Sequence, residues 1–319
     1  MHSSSMAAYL ARRLLIAIPT MFVIVALSFL LIRAAPGGPF DEEAALEPQV
    51  VENMQAAYHL DKPLLTQFSI YIGNVLRGDL GPSMIYKDFS VNELLMSGLP
   101  VSADLGLKAL TLGVLLGCFI GVVAALNQNR ALDFGVMSLA MTGIAVPSFV
   151  LAPLLTLIFG IYLKEVSGIG AALALPVSGW GGFRHQVLPI IALALPQIAI
   201  VARLTRSSMI EVLRSGFVRA ARLRGLSEMR VVTRHALRAA LLPVLSYLGP
   251  AIAGVVTGSL IIEQVFDLPG IGRYFIQGAI NRDYPLVMGV VILYASAVLI
   301  LNLIVDMLYG FLDPRVRVR

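Results

Sequence analysis

The residues of this chain that could do chemistry are few, and they form no catalytic constellation. The sequence has no phosphate-binding GxxxxGK[ST] loop, no HExxH zinc motif and no GxSxG nucleophile turn. Its four histidines (His2, His59, His185 and His235) are scattered and lack the spacing of metal ligands. The single cysteine, Cys118, excludes an internal disulfide framework and a cysteine-rich metal site. We therefore expect no metal or other cofactor on this chain and no hydrolysis of nucleotides by the chain itself.

Charged residues within the hydrophobic segments are also rare and lie near the segment ends. Asp104 and Lys108 are four residues apart, so they share a helix face and predict an ion pair. Glu263 ends a long apolar run just before a polar connection, where an interfacial position is the simplest interpretation. No carboxylate lies at the centre of a hydrophobic segment, where carriers driven by protons or sodium tend to need one. This weakens the hypothesis of an autonomous carrier.

Positive charge is concentrated between Arg203 and Arg238. Nine arginines occur in this stretch with only two acidic residues, Glu211 and Glu228, and hydrophobic segments lie on both sides. Two interpretations are open. The arginines could form a solvated loop that merely fixes membrane topology, or the stretch could dock to a partner.

A short helix and a glycine turn are predicted within this stretch. Arg219 and Arg222 share one helix face, and a second face is formed by Phe217, Ala220, Ala221 and Arg224. The small alanines would let a partner approach the backbone closely, and Gly225 would supply a turn that a residue with a side chain resists. Ser227 could then cap a second helix running from Glu228 towards Pro243. A solvated loop would need neither the alanine pair nor the glycine, which favours docking.

The elements that carry these residues are membrane helices. Of the 319 residues, 58% are hydrophobic and 13% are charged, whereas soluble domains carry roughly 25% charged residues. A spanning helix needs about 20 apolar residues. The sequence therefore predicts an all-α integral membrane protein with six transmembrane helices, at about 10–33, 101–126, 134–162, 187–212, 241–263 and 286–310.

Charge asymmetry predicts the orientation of these helices. Arg12 and Arg13 precede the first helix, whereas segment 34–100 has nine acidic and only three basic residues. The arginine-rich stretch and the C-terminal arginines then fall on one side with both termini, and the positive-inside rule makes that side cytoplasmic. Because the net charge of +5 is confined to short loops, this explanation is preferred over nucleic-acid binding.

Four regions follow from this topology. They are an N-terminus with the first helix (1–33), a small extracytoplasmic subdomain (34–100), a five-helix core with a coupling element at 213–240 (101–310), and a cytoplasmic tail (311–319). Within the outer subdomain, helices are expected at 48–60 and 64–76. A second outer element, 264–285, contains a Pro-Gly turn and a short helix over 275–280.

Prolines and glycines indicate kinked, closely packed helices. Pro147 and Pro153 are expected to interrupt the third helix, and Pro189 and Pro196 the fourth. In the second helix, glycines recur at 106, 113, 117 and 121, and the last two form a small-xxx-small pair that favours close packing.

At the arginine-rich stretch the chain resembles the permeases of ABC importers. The pattern Ala-Ala, three residues, Gly and then Leu-Pro is similar to their cytoplasmic coupling motif, with Arg219 where that motif usually has Glu. RLTRSSMIEVL (203–213), DLPGIG (267–272) and NRDYPLV (281–287) resemble the oligopeptide and dipeptide group. YHLDKPLLTQ (58–67) and GDLGPSMIYKDFSVNELL (78–95) are most similar to the first permease subunit of oligopeptide importers.

The resemblance implies a five-part importer of oligopeptides. This chain would pair with a homologous second permease in the lipid of the bacterial inner membrane. Two ABC ATPases would hold ATP and magnesium, and an extracytoplasmic peptide-binding protein would deliver the peptide. Residues 217–224 would sit in a groove on an ATPase and Gly225 would form the turn. The binding-protein or gate side would include Glu263, Asp267, Pro269, Gly270, Gly272 and Asp283.

Similar permeases serve dipeptides, nickel, glutathione, haem and antimicrobial peptides, so these substrates remain alternatives. An autonomous carrier or channel and a membrane-embedded enzyme are the other classes considered. The enzyme class has the least support, for want of any catalytic cluster.

Overall fold

The computed structural model describes residues 6–34, 48–86, 88–165, 173–256 and 259–312. The predicted tail beyond residue 312, and residues 35–47 of the predicted outer subdomain, lie outside these ranges. We number the helices as follows: α1 Met6–Ala34, α2 Pro48–Ala57, α3 Leu64–Leu76, α4 Val91–Leu126, α5 Ala131–Ala145, α6 Ser148–Glu165, α7 Phe183–Leu213, α8 Gly216–Leu223, α9 Glu228–Ala240, α10 Leu242–Val256, α11 Leu260–Val265, α12 Ile271–Ile280 and α13 Tyr284–Leu312.

Among the described residues, five helices are long and apolar enough to cross a membrane, and a bent pair raises the number to six. The five are Arg12–Ala34 of α1, α4, α6, α7 and Tyr284–Ile304 of α13. The pair is α9 with α10, whose axes are bent by 50°. The all-helical membrane class is therefore confirmed.

The predicted interruption of the third span, 134–162, at Pro147 is confirmed, and the span is divided into two helices. Val146 and Pro147 are extended, with ψ of 118° and 144°, and they separate α5 from α6. Proline disfavours a helical conformation in the residue before it, so the chain breaks here. Pro153 lies inside α6 and is followed by a π-helical segment, Thr156–Tyr162. Consequently α6 alone, with 18 residues, is the candidate span.

The predicted interruption of the fourth span is wrong, because α7 is continuous through Pro189 and Pro196. Pro189 is buried among the core residues of this helix, so neighbouring helices support the backbone where the proline removes a hydrogen bond. The predicted fifth span, 241–263, is instead α10, with Leu260–Val265 forming the separate helix α11.

The described residues divide into two compact units, residues 1–100 with 270–319 and residues 101–269. In the first unit, α1 packs with α3 and α13 through a cluster that includes Val25, Phe29 and Met288. The start of α4 packs with α12 and α13 through Val91, Leu95, Ile271 and Leu286.

The second unit is held together by the glycine face of α4. A β-carbon added at Gly117 would lie 2.7 Å from the Val201 Cβ, and one at Gly121 would lie 2.6 Å from the Thr205 Cβ. Gly113 faces Gln197 in the same way, at 2.6 Å. The contacts therefore advance by four residues on both α4 and α7, and only glycine permits this separation. The predicted close packing of this helix is confirmed.

Candidate coupling site

Helix α8 of the second unit is held against its own chain by one buried face. Val218 and Ala221 are buried, and they cluster with Met209 of α7 and with Val231 and Val232 of α9. A helix of eight residues is too short to be stable alone in water. Its position is therefore set by this packing.

The opposite face of α8 presents apolar side chains to solvent. Phe217 is 51% exposed and Leu223 is 89% exposed, beside the exposed Arg219 and Arg224. Exposed apolar residues that are grouped with charges indicate an interaction surface more than isolated ones do. We call Phe217, Ala220 and Leu223 the outer face of α8.

The expectation that both alanines of the motif would face a partner is wrong. Ala220 is exposed, but Ala221 is only 6% exposed and packs against α9. The two residues are adjacent and so lie about 100° apart around a helix, which puts one on each face. Ala221 is small because α9 lies close to it.

The turn after α8 has the geometry that its glycine predicts. Gly225 has φ of +76°, and its N–H donates to the Arg222 carbonyl at 2.9 Å. The Arg222 guanidinium also binds the carboxylate of Glu228, at 2.5 and 3.1 Å. An ion pair therefore bridges the turn. It is solvent-exposed, so its contribution to stability is small and the glycine carries most of the constraint.

Helix α9 continues from this turn into the membrane segment α10. Ser227 occupies the N-cap position, but its side chain makes no capping hydrogen bond within the described part of the chain, so the predicted cap is not formed. Residues Val231–Ala236 are π-helical, and the helix ends before Leu241 at the 50° bend. Helix α9 is thus the element that joins the turn after α8 to α10.

A buried ion pair that the sequence analysis missed anchors the base of this element. Asp133 of α5 is 1% exposed and receives two hydrogen bonds from Arg206 of α7, at 2.6 and 2.7 Å. Its carboxylate also accepts the Asn129 N–H at 2.9 Å, and Arg214 donates to Gln128 at 2.9 Å. The α4–α5 connection is therefore fixed to the end of α7 that leads into α8. The sequence did contain a signal for this pair, because Asp133 is an acidic residue in the first turn of an apolar helix and Arg206 is an arginine within another apolar segment.

Glu263, a residue predicted on the gate side, is buried at the end of the second unit. It accepts a hydrogen bond from Ser102 of α4 at 2.8 Å, so the interfacial interpretation is wrong. Its carbonyl accepts the Leu268 N–H at 2.8 Å, which closes α11. The exposed Asp267 is the left-handed residue of this helix end, with φ of +49°. Pro269 is partly buried.

Asp283 of the first unit is likewise buried and binds two segments. One carboxylate oxygen accepts hydrogen bonds from Ser83, Met84 and Ile85, at 2.5 to 3.2 Å. The other accepts the Leu286 N–H at 3.1 Å and so caps α13. Asp283 therefore cannot touch a partner in this arrangement and instead holds the 83–85 loop.

The two glycines of the DLPGIG segment lie at the start of α12, and both are buried. Gly270 is the N-cap residue, and a β-carbon added at Gly98 of the first unit would lie 3.1 Å from its carbonyl carbon. Gly272 follows in the first turn. Both glycines are therefore buried and not exposed for contact, and it is Gly98 that allows the close approach to Gly270.

The predicted ion pair between Lys108 and Asp104 is present at 2.6 Å, and Lys108 also donates to Gln186 at 2.8 Å. Among the described residues no group of three or more His, Cys, Asp or Glu side chains is arranged to hold a metal.

Comparison with known proteins gives a consistent assignment. Residues 113–318 match the family described as the binding-protein-dependent transport system inner membrane component, and residues 6–84 match its N-terminal family. The oligopeptide transport system permease protein OppB of Escherichia coli strain K12 is 50% identical over 97% of this chain and 99% of its own length. The dipeptide transport system permease protein DppB of Bacillus subtilis strain 168 is 42% identical over 98% of each chain.

A chain from the solved inward-facing MetNI methionine ABC transporter has the same fold. It superposes with a TM-score of 0.56 at 17% identity, over 69% of this chain and 96% of its own length. The fold, the two family matches and the 50% identity agree. This chain therefore belongs to the family of inner membrane components of binding-protein-dependent transport systems.

Proposed function

We propose that this chain is a permease subunit of an ATP-driven importer of oligopeptides. The observation that carries the proposal is the 50% identity to OppB of Escherichia coli, which extends over 97% of the chain. The dipeptide permease of Bacillus subtilis is less similar, at 42% identity, so oligopeptides are preferred over dipeptides. As a family member the chain is a multi-pass protein of the inner membrane and supplies the path, whereas partner ATPases bind ATP and magnesium.

The outer face of α8 is the proposed ATPase contact. Phe217 and Leu223 would enter an apolar groove, and the neighbouring Arg219 and Arg224 would meet acidic groups at its rim. ATPase closure would then move α8, and α9 would carry that motion to α10 across the 50° bend. The buried Asp133–Arg206 pair would serve as the fixed point of this lever. A homologous second permease would complete the path.

The opposite side of the membrane would receive the peptide-binding protein. We assign both termini and α8 to the cytoplasm, with six crossings, and segment 34–100 and the connection after α10 to the outside. Asp267 is exposed and is the best placed of the predicted gate residues to make a contact. Glu263 and Asp283 would act by positioning their segments, since both are buried.

Uptake of a labelled tetrapeptide tests the proposal. Cells without their own peptide importers would receive this chain with the second permease, the ATPases and the binding protein encoded beside it. We expect ATP-dependent uptake, and Leu223→Asp should lower it at least about ten-fold, because a charge replaces an apolar anchor in a desolvated groove. The same variant should lose the ATPases during purification of the complex.

Leu76→Asp is the matched control, because Leu76 is similarly exposed, at 82%, but belongs to α3 of the first unit. It should retain the ATPases. Uptake of a dipeptide but no tetrapeptide would contradict the substrate assignment. Full ATPase retention by Leu223→Asp would contradict the contact.

A further inference from the structure

A cavity in the first unit combines one cationic group with polar and aromatic walls. Its volume is about 220 Å³, and it lies between the end of α1, helix α3 and the start of α13. The residues that line it include Phe29, Arg33, Gln67, Tyr71, Asn74 and Tyr284. The peptide importer proposal does not depend on this cavity.

Arg33 supplies the charge of the cavity. Its guanidinium donates to the side-chain oxygen of Gln67 and lies 5.1 Å from the ring centres of both Phe29 and Tyr284. Among the described residues, no carboxylate forms an ion pair with it. A partly buried guanidinium held by two aromatic rings and an amide keeps its positive charge uncompensated. The site is therefore suited to an anion.

Tyr71 supplies a hydrogen-bond donor that is not used within the described structure. Its hydroxyl is buried and has no hydrogen-bond partner there, so a ligand oxygen would reach it through a small shift of the surrounding side chains. Burial raises the pKa of Tyr71, so the hydroxyl remains protonated at neutral pH. A buried hydroxyl without a partner costs about 1 to 3 kcal/mol. Asn74 is three residues later in α3 and lines the same cavity.

The helices that line the cavity also carry exposed apolar residues close in sequence to its lining residues. Leu31 at the end of α1 is 71% exposed, and Leu65 at the start of α3 is 84% exposed. Arg33 itself ends a 23-residue candidate span, so the cavity lies at the level where hydrocarbon meets headgroups. Asp79 is the only acidic residue among the described residues of its wall, and it is exposed and accepts the Gly81 N–H at 2.8 Å.

We propose that this cavity binds the phosphate of an anionic phospholipid, with Arg33 as counter-ion and the Tyr71 hydroxyl as donor. A cavity of about 150 Å³ can hold benzene, so 220 Å³ accommodates a headgroup but not acyl chains. The acyl chains of the lipid would lie outside the cavity, along the exposed leucines of α1 and α3. A small free anion would also satisfy Arg33, so inorganic phosphate is the competing ligand in the test.

Native mass spectrometry of the complete importer complex tests this site. The probes are dioleoyl phosphatidylglycerol, dioleoyl phosphatidylcholine and inorganic phosphate. We expect Arg33→Gln to weaken phosphatidylglycerol binding about ten-fold and Tyr71→Phe about three-fold, since one removes the charge and the other a single hydroxyl. The zwitterionic lipid should bind the unmodified complex about as weakly as phosphatidylglycerol binds the Arg33→Gln complex.

Arg12→Gln is the matched control, because Arg12 is an exposed arginine at the other end of the same helix. It should leave phosphatidylglycerol binding within about two-fold of the unmodified complex. Equal binding by Arg33→Gln, or displacement of the lipid by millimolar inorganic phosphate, would overturn the proposal. If Arg33→Gln does not assemble, Tyr71→Phe decides the matter, because it keeps the shape and charge of the site and removes only the hydroxyl. Unchanged phosphatidylglycerol binding by Tyr71→Phe would then refute the proposal.

Discussion

At the scale of single residues, Gly225 is constrained by its backbone and not by its surroundings. Its φ is +76°, yet a β-carbon there would meet no described atom within 4 Å. We expect Gly225→Val to lower peptide uptake about ten-fold at an unchanged amount of membrane-inserted chain. The left-handed conformation costs a residue with a side chain about 1 to 2 kcal/mol, and β-branching restricts it further.

Two comparison variants separate this effect from side-chain bulk. Gly216→Ala adds a carbon in equally open space, at the start of α8, and should keep normal uptake. Gly225→Asn should retain most of the uptake, because asparagine tolerates the left-handed region. Similar losses in Gly225→Asn and Gly225→Val would mean that the conformation is not the cause.

The outer face of α8 shows what residue-level prediction from sequence could not provide. The helix and its glycine turn follow from local chemistry, and both are present. Which alanine faces outward depends on where α9 packs, and that packing is formed by residues more than nine positions away, such as Val231 and Val232. The buried Asp133–Arg206 pair was missed for the same reason, since its two members are 73 residues apart.

At the scale of elements, the contact between α4 and α7 depends on glycine at each turn. We expect Gly117→Leu to lower the thermal unfolding midpoint of the purified complex and the yield of monodisperse protein. The Cβ at this position would lie 2.9 Å from the Ile198 carbonyl oxygen, so the helices must separate. Overpacking of this kind typically costs about 1 to 3 kcal/mol.

The chain offers both a control and a rescue for this prediction. Gly135→Leu lies in α5, where no described atom is within 4 Å of an added β-carbon, and it should leave the midpoint nearly unchanged. Val201→Ala combined with Gly117→Ala should recover part of the loss seen with Gly117→Ala alone, because it removes the Val201 Cγ1 atom, which would lie 2.9 Å from the added β-carbon, while the Val201 Cβ stays. An unaltered midpoint for Gly117→Leu would show that α4 and α7 are not in close contact.

The same helices show how far elements can be predicted from sequence. Composition located the apolar segments, and glycine spacing identified the packed face of α4. Proline was a poor guide, because Pro147 ends a helix whereas Pro189 and Pro196 do not. The difference lies in tertiary support, since a proline inside a buried helix can be accommodated by its neighbours. That support is invisible in a local pattern.

At the scale of the whole molecule, the number of membrane crossings depends on α9 and α10. Helix α10 has 15 residues, or about 22 Å at 1.5 Å per residue, which is less than the roughly 30 Å of the hydrocarbon core. Only together with α9 can the pair cross. With six crossings both termini lie on one side, whereas with five they lie on opposite sides.

Cysteine labelling within the second unit decides between these topologies. In a Cys118→Ser background, Leu223→Cys and Gln264→Cys place exposed thiols before α9 and after α10. We expect an impermeant maleimide to label Gln264→Cys in intact spheroplasts, and Leu223→Cys only after permeabilisation, because the basic residues of α8 and α9 belong on the cytoplasmic side. Arg130→Cys should behave like Leu223→Cys, since two candidate spans, α6 and α7, separate them. Labelling of Gln264→Cys from the same side as Leu223→Cys would mean that the bent pair α9–α10 is re-entrant. In that case α10 would turn back within the membrane, and it could not carry the motion of α8 to the other side.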